Sequence, residues 1–149
     1  MKFIVPVSLK REHQELHEAL DQAVHVGGET GERAKEVVRL LHPHFLREEA
    51  FALPPLGLLT ALVRGEISPE MRDVFAMTDR LKAELPDMEN DHREIVIALQ
   101  ELSKAAREES KTDQEKLAEQ IVFHARGEEE VSYPAAILVG EYLKLVIGP

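Results

Sequence analysis

The feature that most constrains this chain is a pattern of metal-ligand residue types that occurs twice. Glu12-His13 is followed by His44-x-x-x-Glu48, and Asp91-His92 is followed by His124-x-x-x-Glu128. His13 and His92 lie 79 positions apart, and His44 and His124 lie 80 apart. The likeness extends to the neighbours: Glu12 through Leu16 answers Asp91 through Ile95, and His44 through Glu49, then Pro54, answers His124 through Glu129, then Pro134. A helix pair duplicated and packed against its copy has an approximate twofold axis, and equivalent groups meet near it. Two half-sites, each offering two imidazoles and a carboxylate, are what a two-metal centre inside a pseudo-symmetric bundle requires.

The apolar periodicity is helical nearly throughout, and no segment alternates as a strand would. Ser8 can cap a first helix that runs to about Val24 and ends at Gly27-Gly28. Thr30 can cap a second, carrying Val37, Leu40, Leu41, His44 and Phe51 and stopping near Pro54-Pro55. Residues 56 to 85 read as a connection with helical pieces, among them Ser68-Pro69 as a cap and first-turn proline. A third helix is expected from near Pro86 to about Glu109. Thr112-x-x-Glu115 forms a capping box for a fourth, ending near Tyr133-Pro134, and Pro134 to Val146 reads as a short apolar fifth. The expectation is an all-α chain, a single domain over residues 1–149, built as an up-down four-helix bundle with a short extra C-terminal helix.

Composition narrows the chemistry. With 149 residues the chain can bury a sizeable core. It has no cysteine, so thiolate zinc sites, iron–sulfur clusters, disulfides and cysteine nucleophiles are excluded, and any metal must be held by nitrogen and oxygen. A net charge of −10 leaves nothing basic to neutralise phosphates, which argues against a nucleic-acid partner. The apolar start, Met1 to Val7, is too short for a signal peptide, and no stretch approaches the roughly 20 apolar residues that span a bilayer. A cytoplasmic protein with no membrane partner is expected.

A single histidine on an apolar helix face is more often a satisfied core residue than a ligand, so the test is whether all the candidates share inward stripes. At about 100° per residue, His13 falls with Leu9, Leu16, Leu20 and Val24. His44 falls with Val37, Leu40, Leu41, Glu48 and Phe51; Pro43 removes a backbone hydrogen bond here and can shift the phase before it. His92 shares its stripe with Met88, Ile95, Val96, Leu99 and Ala106, and His124 shares one with Leu117, Ile121, Glu128 and Val131. A buried carboxylate without a cation costs several kcal/mol, and no lysine or arginine on these stripes offers itself as partner. A metal pair removes that penalty for all six groups. Glu49, Glu129 and Glu130 turn away from the stripes and read as surface charge. His42 reads as solvated, and His25 sits at a helix end. His17, four residues after His13, lies at the edge of its stripe and stays open between metal ligand and a partly exposed outer residue.

These residues resemble the hemerythrin-like family, also called the HHE cation-binding domain, through the paired H-x-x-x-E elements, each followed by a proline. The resemblance runs from Glu12-His13 to His124-Ala125-Arg126-Gly127-Glu128-Glu129. It implies an up-down four-helix bundle with a non-haem di-iron centre, in which His13, His44, His92 and His124 bind iron and Glu48 and Glu128 bridge the two ions. Oxygen-carrying members have a histidine where this chain has Val96, and an aspartate where it has Glu129. The only H-x-x-x-H here, His13 with His17, lies on the first helix instead. If His17 binds, the carrier's nitrogen count is restored with the halves exchanged. If it does not, water or substrate fills extra positions, and redox chemistry is favoured over carriage.

The leading expectation is therefore a pair of iron ions, with zinc or another divalent metal as substitutes, that binds or reacts with oxygen, nitric oxide or peroxide. Any enzymatic activity would be that of an oxidase or a peroxide-decomposing enzyme. A second reading is iron storage, sensing or iron-centre repair; a third is a structural bundle whose apolar tail, Ala135 to Val146, caps the bundle or forms a homodimer face.

Overall fold

The computed structural model describes all 149 residues. It is all-helical, with no strand. Helix α1 spans Val7–Val24, α2 Gly28–Arg47, α3 Leu59–Val63, α4 Phe75–Glu108, α5 Thr112–Gly127 and α6 Tyr133–Ile147. Single 3-10 segments occupy Pro54–Leu58 and Pro69–Val74. The four helices α1, α2, α4 and α5 close a ring in which each packs on two others: α1 on α2, α2 on α4, α4 on α5 and α5 on α1. Helix α6 lies against α4 and the 3-10 segments.

The third long helix begins at Phe75, well before the expected start near Pro86, and Pro86 lies inside it. The reason is packing. Thr78, Leu81 and Met88 form a buried stripe through the proline, and that burial outweighs one missing backbone hydrogen bond. Helix α2 likewise runs through Pro43.

The expected side-chain caps do not form. Helix α1 starts at Val7, one residue before Ser8, and α5 has no side-chain cap, because Glu115 accepts from Arg107 Nε at 2.9 Å instead of closing a capping box. Thr30 lies inside the first turn of α2. Its backbone N–H donates to Glu109 at 2.8 Å, its hydroxyl donates to the same carboxylate, and the N–H of Glu29 reaches it at 3.2 Å. A carboxylate 79 residues away in sequence therefore serves the α2 N-terminus, where the helix dipole favours negative charge. The preceding turn places Gly27 and Gly28 at φ +77 and +63, a region L side chains resist. The Thr30 hydroxyl and backbone N–H bonds hold the Glu109 carboxyl down to about 2, against an ordinary 4.5. This contribution to stability is present above pH 4.5 and is lost as pH falls through about 2. Glu109→Ala is expected to lower the thermal midpoint at pH 7, with the gap to wild type closing by pH 2; circular-dichroism melts at several pH values check it.

At the bundle's two ends the core separates into apolar groups. Leu16, Leu20, Val37, Leu41, Ile95, Leu99 and Ile121 belong to one, and Phe51, Leu53, Leu81, Met88 and Tyr133 to the other. Leu16, Leu41, Ile95 and Ile121 each stand three residues from a histidine of the repeat, so the histidine layer lies between the two apolar groups. The tail helix both caps and exposes: Tyr133, Ala136, Val139 and Leu143 are buried, while Leu138 and Leu145 face outward.

Candidate metal centre

Immediately after Arg47 and after Gly127 the helical backbone widens into single π turns, Glu48–Ala52 and Glu128–Ser132. Each begins at a glutamate of the repeat and is followed within two residues by its proline, Pro54 or Pro134. A proline has no N–H to close an α turn onto the carbonyl four residues back, and a wider turn accommodates it. The duplication seen in the ligand-type residues is thus also a duplication of backbone geometry.

His13, His44, His92, Glu48 and Glu128 are each under 5% exposed, and the His124 side chain is 9% exposed. One donor atom from each of His44, Glu48, His92 and Glu128 falls within 4.8 Å of the others, and the same holds for His13, His124 and Glu128. The grouping crosses the halves. His44 meets His92, and His13 meets His124, so each cluster draws one histidine from either copy rather than two from one.

The carboxylates divide their oxygens between the clusters. Glu128 Oε1 lies 3.3 Å from His92 Nε2, while its Oε2 lies 3.4 Å from His13 Nε2 and 3.3 Å from His124 Nε2. Glu48 Oε1 lies 2.8 Å from His44 Nε2, and its Oε2 lies 3.9 Å from His13 Nε2. Despite the 2.8 Å approach, neither Glu48 oxygen has a partner at hydrogen-bonding angles, and His124 Nε2 is equally unpartnered. Fully buried acceptors without donors are costly. Imidazole nitrogens and carboxylate oxygens gathered within 4.8 Å of one another are the donor set of a first-row divalent metal. The residues fit such a cation.

Electrostatics divides the two glutamates. Burial, and then the charge of Glu128, push the Glu48 carboxyl well above its ordinary value. Burial opposes ionisation of Glu128 too, but the neighbouring Glu48 and the imidazoles of His124, His13 and His92 outweigh it and hold that carboxyl well down. Burial likewise works against a charged His124, yet Glu128 and Glu12 raise it to about 8.

An outer ring of carboxylates follows the same pseudo-symmetry. Asp91 accepts from His44 Nδ1 at 3.0 Å, and Glu12 accepts from His124 Nδ1. Glu129 accepts from His92 Nδ1 at 3.0 Å, whereas its counterpart Glu49 stands 3.9 Å from His13 Nδ1, beyond hydrogen-bonding reach. Glu12, Asp91 and Glu129, each next in sequence to an inner-layer residue, thus serve a histidine on another helix. Glu129 is exposed at the surface, as its helical phase suggests, and its carboxylate also reaches back to His92.

Two further corrections concern the stripes. Val131, expected to face inward with His124, is 64% exposed; its counterpart Phe51 is covered by the Arg80 guanidinium 4.1 Å above its ring. Tyr133, which sequence reasoning assigned only to a helix end, is fully buried. Its hydroxyl lies 3.3 Å from His44 Nε2 and 3.2 Å from His92 Nε2. Leu53 occupies the corresponding place in the first half, so the repeat itself carried no signal for a tyrosine. Burial, then the charges of Glu48 and Glu128, push the phenol far above its ordinary value.

His17 does not join either cluster. Its side chain is 43% exposed, its Nε2 is 3.5 Å from Asp21, and its ring centroid lies 5.8 Å from that of His42. One turn beyond His13 on a helix at the bundle's periphery, it falls outside the layer. His42 is exposed, as its helical phase suggests.

The hemerythrin HHE cation binding domain model matches residues 6–136 of the chain. No curated protein and no solved structure matches it. No helix is long and apolar enough to cross a membrane.

Proposed function

The chain belongs to the hemerythrin HHE cation-binding domain family, and from that premise we propose that it holds two non-haem iron ions that meet a small diatomic molecule or a peroxide. The split use of the two glutamates carries this reading: each directs one oxygen to the His44–His92 side and the other to the His13–His124 side. His44, His92, Glu48 and Glu128 would hold one ion and His13, His124 and Glu128 the other, so Glu128 would serve both, while the second oxygen of Glu48 faces His13 at 3.9 Å. When bound, such a pair supplies two electrons and two Lewis-acid centres for chemistry on the small molecule. An up-down order of the four long helices is in keeping with connections as short as His25–Gly27 and Glu109–Lys111.

The protein's own groups prepare the site. Asp91, Glu12 and Glu129 accept the Nδ1 protons of His44, His124 and His92, which leaves the Nε2 lone pairs directed inward. Phe45 stacks on His13 at 4.1 Å between ring centroids, and Phe51, Leu53 and Met88 close the other end, so bulk water is excluded. Tyr133 keeps its proton on Oη and presents it beside His44 and His92, where it can donate a hydrogen bond to an oxygen of the small molecule. Fewer protein donors converge on the His13–His124 side, which leaves that side more room for an exogenous ligand. With His17 outside the layer, each side has two imidazoles. That supports redox chemistry over reversible carriage.

Protein loaded anaerobically with ferrous iron and then exposed to oxygen, nitric oxide or hydrogen peroxide tests the reading. Two irons per chain and new visible absorption with at least one of the three are expected; iron that binds without any spectral response would contradict it and point to iron handling.

The outer carboxylates are expected to differ in effect. Glu129→Ala and Asp91→Ala should each weaken metal binding by roughly 10–100-fold, the scale of lost second-layer partners. Glu49→Ala should have little effect, because Glu49 makes no hydrogen bond to His13. Competition titrations with a chromophoric chelator measure all three.

A further inference from the structure

Two clefts each lead down to one histidine of the layer, and the repeat relates them. One, about 350 Å³, has His13 at its floor with His17, His42, Phe45 and Glu49 in its walls. The other, about 510 Å³, has His92 at its floor with Val96, Val122, Ala125 and Glu129 at the corresponding places. The two imidazoles of the first cleft are thus valines in the second, which carries Arg93 and Arg126 instead.

The floors differ as well. In the valine cleft, Glu129 accepts from His92 Nδ1 at 3.0 Å and closes that nitrogen off. In the histidine cleft, His13 is 3% exposed and its Nδ1 has no hydrogen-bond partner. Its Nε2 faces Glu128 at 3.4 Å, so the ring stands as a partition between the cleft and the dinuclear layer. The Glu49 carboxylate, 45% exposed and 3.9 Å from His13 Nδ1, reaches from the mouth of the cleft to that partition. At the mouth, His17 and His42 lie 5.8 Å apart between ring centroids, with the Asp21 carboxylate 3.5 Å from His17 Nε2.

We propose that the histidine cleft is the port through which divalent cations load the centre, with His17 and His42 as their first, transient binding pair and Glu49 as the next ligand inward. Neutral imidazoles and carboxylates suit ferrous iron, cobalt or manganese alike. The second cleft has no imidazole at its mouth to receive such ions; its Arg93 and Arg126 are balanced by Glu129 and Glu130 as Lys10 is by Glu49 in the first, so the imidazole pair is what distinguishes the two. This inference rests on the dinuclear reading of the inner layer. It also accounts for the one histidine of the H-x-x-x-H element that the layer leaves out.

The test follows loading of metal-free protein with Co²⁺ by stopped-flow absorption. The His17→Ala/His42→Ala variant should load on the order of tenfold more slowly, the scale that outer groups exert on metal sites, yet reach the same final cobalt content as wild type. Arg126→Ala, in the other cleft, should load no more slowly than wild type. Equal rates for wild type and the double histidine variant, or an equal slowing by Arg126→Ala, would overturn the proposal. A second measurement separates it from the central reading. In Glu128→Ala protein, whose inner layer is disabled, substoichiometric Mn²⁺ should still broaden the imidazole resonances of His17 and His42 ahead of that of His25. Unbroadened signals there would refute the rim pair whatever the inner layer binds.

Discussion

Glu128→Ala is expected to abolish cation binding on both sides of the layer at once, weakening affinity by more than about 100-fold. Glu128 belongs to both clusters, with Oε1 toward His92 and Oε2 toward His13 and His124. Its loss removes a bridging ligand and also the anion around which three buried imidazoles are organised. The metal-free variant should itself be destabilised by roughly 2–4 kcal/mol, through a cavity and lost charge-assisted hydrogen bonds. Glu130→Ala, two residues on and exposed, should do neither. Metal content by mass spectrometry and denaturant unfolding of both variants decide the matter. A Glu128→Ala protein that retained its full metal complement would place the bridge elsewhere.

Removing the metal from wild-type protein is the second large effect. The layer brings five buried polar groups together with the nearly covered His124, and the oxygens of Glu48, with His124 Nε2, find no hydrogen-bonding partner within the protein. A cation that binds the folded state alone stabilises it by RT ln(1 + [L]/Kd), about 4 kcal/mol at a thousandfold excess over Kd. For a chain of this length that corresponds to roughly 10 °C in the thermal midpoint. Chelation should therefore lower the midpoint by about that much, and re-addition of ferrous or cobaltous ion should restore it. An unchanged midpoint after verified metal removal would mean that the layer is satisfied without a cation. The same treatment of Glu128→Ala should leave its midpoint where it was.

What could be read from the chain was whatever a single helix encodes. His44 with Glu48, and His124 with Glu128, are one turn apart, so their common face follows from helical phase, and the repeat identified His13 and His92 as their counterparts. The cross-pairing was not legible. Asp91 serves His44 across 47 residues and Glu12 serves His124 across 112, and only packing decides such partners. The bond of exposed Glu129 to His92 is not legible either, since a helical wheel gives its surface position but not the reach of its carboxylate to another helix. Tyr133 escaped because duplication reveals only what both copies keep, and the first copy has Leu53. The α2 cap was missed for a similar reason: Glu109 comes from the far end of α4 and displaces the local choice, Thr30. Local signals make Pro86 a helix start, while the buried stripe from Thr78 to Met88 carries the helix through it.

The most direct test of the central claim is the anomalous scattering of iron in crystals of the loaded protein. Two peaks are expected, one among His44, His92, Glu48 and Glu128 and the other among His13, His124 and Glu128, with the Glu128 carboxylate between them. A single peak, or peaks at the surface with the six side chains left unligated, would contradict it.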